Sequence, residues 1–165
     1  MEERSDHFLA RLSAAERKLL QLSVHMNPII VSHADGKCSM RESAAIAEAV
    51  RKLMCDEAYR SLLLVAGHEE FSDAGLRVMV EEHTKDVKAY LAQVASLLER
   101  IPEDVADAYR SFTLFAIIHV AEATREGLFG IMGAKISDSE RAVILTMVEA
   151  LGLKPGEDDR ARLGM

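Results

Sequence analysis

Lys37-Cys38-Ser39-Met40-Arg41-Glu42 and Lys135-Ile136-Ser137-Asp138-Ser139-Glu140 are the two stretches that decide the fold. Each reads Lys, an apolar residue, Ser, two variable residues and Glu. Each then enters a helical pattern, Ala44-Ala45-Ile46 in the first copy and Ala142-Val143-Ile144 in the second. Each also follows a helix-like segment and a turn, Asp35-Gly36 and Gly133-Ala134 respectively. Ser with Glu three residues on is a capping box. The serine oxygen accepts from the backbone N–H of the third helical residue, and the glutamate reaches back to the serine N–H. A helix–turn–helix unit written twice predicts an all-α protein, a bundle of about seven helices built from two related halves.

Outward from these turns the periodicity stays helical, with no alternating β-branched run. Ser13-Ala14-Ala15-Glu16 is a further capping box, opening a helix with Leu19, Leu20, Leu22 and Val24 on its apolar face. Asn27-Pro28 should kink that helix or begin a new one, which stops at Asp35-Gly36. The helix after Ser39 carries Ile46, Val50 and Leu53. The helix after Asp56 carries Tyr59, Leu62, Leu63 and Ala66 and ends at Gly67. Leu76, Val80, His83, Val87, Tyr90, Val94 and Leu97 alternate spacings of 4 and 3, a heptad seam. So short a seam reads as a bundle's buried face before a free coiled coil. Pro102 opens a helix to about residue 126, with Ala106, Tyr109, Phe112, Thr113, Ala116, Ile117 and Val120 inward. The last helix, from Ser137 to Leu151, turns Val143, Ile144, Met147, Val148 and Leu151 inward and stops at Gly152.

The 165 residues suit one domain, residues 1–153, and the polar tail 154–165 is expected to fray. Net charge is −7 without a clustered basic patch, which argues against nucleic acid. The opening Met-Glu-Glu-Arg-Ser-Asp is not a signal peptide, and no apolar run reaches membrane-spanning length. Cys38 and Cys55 form no CxxC pair. These features predict a cytoplasmic protein that does not insert in a membrane.

Chemistry-bearing patterns are few. No His has Glu three residues before it, which excludes a four-helix di-iron centre, and no His-Glu-x-x-His occurs. Gly127-x-x-Gly130-x-x-Gly133 follows a helix and lacks the Gly-Lys-Ser/Thr ending of a phosphate loop. Cys38 precedes a helix start, and its counterpart Ile136 marks the position as apolar rather than catalytic. His119 and Glu122 share a helix face; a His flanked by Ile118 and Val120 reads first as half-buried with one backbone or carboxylate partner. The hard oxygens of Asp35, a turn carbonyl and Glu42 suit calcium, magnesium or manganese, although the loop is not an EF-hand.

Ser32-His33-Ala34-Asp35-Gly36-Lys37 leading to Ser39 and Glu42, with Lys135 to Arg141 leading to Leu151-Gly152-Leu153, resembles the TerB-like family associated with tellurite resistance. The likeness covers residues 28–54 and 112–153, and the Gly127–Gly133 insertion is similar to one in some members. It implies an all-helical bundle of two related halves. It implies a bacterial cytoplasmic protein in a stress response, with peripheral membrane association in some settings and no established enzymatic activity. It also implies metal-binding acids in the turns: Asp35 and Glu42 in the first half, Glu140 and Asp138 in the second. The second copy departs from the first, with Gly133-Ala134 where the first has Asp35-Gly36.

The resulting expectation is a non-enzymatic, stress-linked adaptor with a protein partner. It carries one weak divalent-cation site at the Asp35–Glu42 turn, completed by Glu140, Asp138 or Glu122 if the two turns meet. The alternative is a pure interaction module or homodimer scaffold without metal, contacting through the heptad seam or the Gly127–Gly133 loop. An enzyme using Cys38, His33 or His119 in a pocket ranks third.

Overall fold

Helix starts follow the caps. In the computed structural model, which describes residues 12–36, 38–66, 85–123 and 136–165, every described element is helical. In chain order these are α1 Ala14–Ser32, α2 Met40–Cys55, a 3-10 turn Glu57–Tyr59, α3 Arg60–Ala66, α4 Val87–Leu98, α5 Glu103–Ala123, α6 Asp138–Leu151 and α7 Glu157–Leu163. The protein is an all-α bundle. Ser13, Ser39 and Ser137 are N-caps, each with the reciprocal glutamate bond. The first halves of the heptad seam (Leu76, Val80, His83) and the Gly127–Gly133 loop lie outside the described residues.

Proline does not divide α1. The helix runs unbroken from Ala14 to Ser32 with Pro28 inside it, so no new helix begins at Asn27. Pro28 lacks an N–H and denies the Val24 carbonyl its usual donor, a loss on the order of 3 kcal/mol in an exposed helix. Burial outweighs that loss here: Val24, Met26, Asn27, Pro28, Ile30 and Val31 are all inside.

α5 is the centre of the bundle. From Phe112 to Ala121 it is buried on nearly every side, as a helix surrounded by others must be. It packs against α1, α2, α3 and α6, while α1 also touches α2, α3, α4 and α6. Tyr90, Val94 and Leu97 on α4 are buried, so the described part of the seam is core face. On α2 the inward positions are Glu42, Ala45, Ala49 and Leu53, with the expected Ile46 and Val50 only half-buried. Alanines at the contact let α2 lie close on α5, and the larger side chains sit at the margins.

Gly152 ends α6 in the left-handed region (φ 63°), and the Leu153 N–H returns to the Val148 carbonyl at 3.0 Å. Beyond it the tail departs from expectation. Residues 157–163 form α7, because Leu163 is fully buried and the Gly156 N–H donates to Asp159 at 3.1 Å. A single buried leucine secures a segment whose composition alone reads as solvent-exposed.

Candidate functional site

Two places among the described residues bear on the expected site. The first is the pair of capped turns. Glu42 accepts from the Ser39 N–H, and its own N–H donates to Ser39 Oγ at 3.2 Å. Glu140 accepts from the Ser137 N–H at 2.8 Å and from the Ser137 hydroxyl, and its N–H donates to Ser137 Oγ at 3.2 Å. Both glutamates are 1% exposed. A carboxylate taken out of water that far needs its hydrogen bonds, and the positive end of its own helix adds to them. The Ser13–Glu16 box has the same geometry at the surface. The Glu16 carboxyl sits below its usual range because the Ser13 backbone, then the Ser13 hydroxyl and Arg100, favour its charged form.

The expected cation ligands do not form one oxygen shell. Glu42 and Glu140 each point back into their own cap. Glu122 pairs with Arg162 Nε at 3.5 Å, and the fully exposed Asp138 lies 3.7 Å from Arg141. Asp35 is exposed on the turn closed by Gly36. Among the described residues no three His, Cys, Asp or Glu side chains converge as a metal ion requires. Among the described residues these acids are therefore not gathered at one point.

The second place is a cleft of about 480 Å³ along the outer stripe of α5, bounded by the 3-10 turn and by α7. Tyr59, Leu114, Phe115 and Ile118 make its apolar floor. Asp107, Arg110, Ser111, His119 and Glu122 line it at helical spacing, so one face of α5 spans its length. Most of its charged groups come in pairs. Arg110 meets Asp107 at 3.1 Å and donates through Nε to the Leu151 carbonyl at 3.2 Å, tying the end of α6 to α5. Arg162 of α7 meets Glu122, and His119 Nε2 lies 3.2 Å from Glu48 of α2. The His119 ring stacks on Phe115 with centroids 5.4 Å apart. His119 is thus half-buried, and of the backbone and carboxylate partners that its neighbours leave open it has the carboxylate. Lys52 of α2 lies 5.3 Å above the Phe115 ring and 2.7 Å from Asp56. That ion pair raises the Lys52 pKa and lowers that of Asp56.

His119 and Glu122 share one face of α5, as their spacing predicts, but nothing in that spacing points to the cleft itself. Two of its walls come from residues distant in sequence: Tyr59, and the tail residues Lys154, Asp159 and Arg162. The available signal was the run Asp107, Arg110, Ser111, Leu114, Phe115, Ile118, His119, Glu122, a second stripe on a helix whose first stripe already fills the core. Cys38 is half-buried, with Sγ 3.3 Å from Ser43 Oγ, whereas its counterpart Ile136 is buried.

No helix among the described residues is long and apolar enough to cross a membrane. No family model, curated protein or solved structure matches the chain.

Proposed function

We propose that this chain is a non-enzymatic adaptor of the TerB-like kind, acting in the bacterial cytoplasm in a stress response, and that it docks a protein partner in the α5 cleft. The cleft carries the reading: an apolar floor rimmed by charged pairs from separate elements, the anatomy of a recognition surface. The non-enzymatic part rests on spacing. Ser111 and His119 stand eight residues apart on one helix, about 12 Å along its axis, so His119 cannot take the Ser111 proton. Arg110, Arg162 and His119 each face a carboxylate already.

A photo-crosslinking residue at the exposed position 111, with the same probe at the exposed position 40 as control, tests the docking. The expected result is a discrete protein adduct in cells from position 111 and not from position 40. Identical adducts from both positions, or none from 111, would remove the cleft as the docking surface.

The cation is left out of this reading because the caps occupy Glu42 and Glu140. Chelator-stripped protein titrated with calcium, magnesium and manganese in native mass spectrometry should take up no stoichiometric metal. Uptake that Asp35→Ala abolishes would restore the metal site.

A further inference from the structure

We propose that the α5 cleft recognises a peptide segment carrying a single carboxylate beside a bulky apolar side chain, an inference that rests on the cleft being the docking surface. The argument is one of charge matching. Arg110 is neutralised by Asp107, Arg162 by Glu122, and His119 faces Glu48. Asp159 accepts the Gly156 N–H and turns toward the start of its own helix. Lys154 is different. It lines the cleft and is exposed, and among the described residues no carboxylate lies within ion-pair distance of its Nζ. Its backbone is held nonetheless, since Leu153 is buried and bonded to Val148. The cleft therefore offers, beside an apolar floor, one cation without a carboxylate partner among the described residues, on a protein whose net charge is −7.

Such a surface selects an anion at one point and repels anions elsewhere. It also favours a monoanion over a dianion, because Asp159 lines the same cleft with no cation within ion-pair distance among the described residues and opposes a second negative charge. The apolar body of the segment would lie on Leu114, Phe115, Ile118 and Tyr59, and the volume of about 480 Å³ falls in the range of pockets that hold small ligand groups.

Two-dimensional amide NMR of the full chain decides it, with N-acetyl-Leu-Phe as the free acid and as the C-terminal amide. These probes differ in one charge. The free acid should shift amides of α5 and Lys154 and bind about three- to fivefold more tightly than the amide, the size of one exposed ion pair. Lys154→Gln should abolish that difference while leaving amide binding unchanged. Ser111→Trp, a substitution at an exposed position that fills the cleft, should abolish both. Equal binding of acid and amide overturns the carboxylate inference and leaves the docking surface in place. Tighter binding of inorganic phosphate at the same amides overturns it in favour of a dianion. No cleft shifts with any probe also overturns it, and the crosslink from position 111 then judges the docking surface separately.

Discussion

Asn27 is the residue on which the interior depends most. It is fully buried on α1, donates through Nδ2 to the Tyr109 hydroxyl at 2.8 Å and to Thr113 Oγ1 at 3.4 Å, and accepts from the Tyr90 hydroxyl at 2.9 Å. One amide thereby satisfies side chains from α4 and α5 at once. Within an apolar core such a network is stable only when complete, and it fixes how the three helices register. Asn27→Leu takes one hydrogen bond from each of two tyrosine hydroxyls, while Ser23 stays beside both, a loss of about 0.5–1.5 kcal/mol per bond. Urea unfolding of Asn27→Leu should show a loss of roughly 1–3 kcal/mol. Adding Tyr90→Phe and Tyr109→Phe should recover part of it, because the hydroxyls that lost a partner are gone. A triple variant as unstable as the sum of its single changes would mean that the three residues act independently.

At the scale of elements, caps and stops were legible before packing was. Ser13–Glu16, Ser39–Glu42, Ser137–Glu140 and Gly152 all sit where local chemistry places them, since a cap bonds within four residues of itself. The continuity of α1 through Pro28, the inward alanines of α2 and the folding of α7 depend on what lies across the core, which a local pattern does not contain. The cleft was hidden for the same reason: its walls are separated by about a hundred residues of chain. The caps differ in depth, and this is testable. Glu140→Ala removes a box at a buried position and should cost about 1–2 kcal/mol, whereas Glu16→Ala at the surface should cost less. Equal losses in thermal unfolding would show that burial adds nothing to the cap. α7 hangs on Leu163 together with the Arg162–Glu122 pair. Leu163→Ala should cost about 2–4 kcal/mol if α7 unfolds together with the bundle. If α7 instead melts alone, amide exchange in residues 157–163 becomes fast while α5 stays protected. Slow exchange throughout α7 in that variant would mean that other contacts hold it.

The whole molecule responds to alkali through the same buried tyrosines. Burial, the largest influence, pushes the Tyr109 hydroxyl up to about 12 and raises Tyr90 well above its usual value. Both hydroxyls therefore stay protonated in the fold at a pH where an unfolded tyrosine, with a pKa of about 10, has ionised. A group whose folded pKa is raised contributes its full stability below the unfolded pKa and loses it as pH climbs through the folded one. Stability should thus begin to fall near pH 10 and continue falling toward about 12. Tyr109 alone accounts for a slope of up to about 1.4 kcal/mol per pH unit, roughly 2–3 kcal/mol over that window. The Lys52–Asp56 pair acts in the same direction, since the raised Lys52 loses its charge, and with it the attraction, at the top of this range. Against a total of about 5–15 kcal/mol for a domain, the loss from the buried tyrosines is a substantial fraction and moves the fold toward its unfolding transition. Tyrosinate absorbance and helical circular dichroism should therefore change together in one cooperative alkaline transition, and Tyr109→Phe should flatten the fall of stability with pH. Tyrosinate from Tyr90 and Tyr109 at about pH 10 with the helices intact would mean that these hydroxyls ionise in place. The core around Asn27 would then have to be open to water.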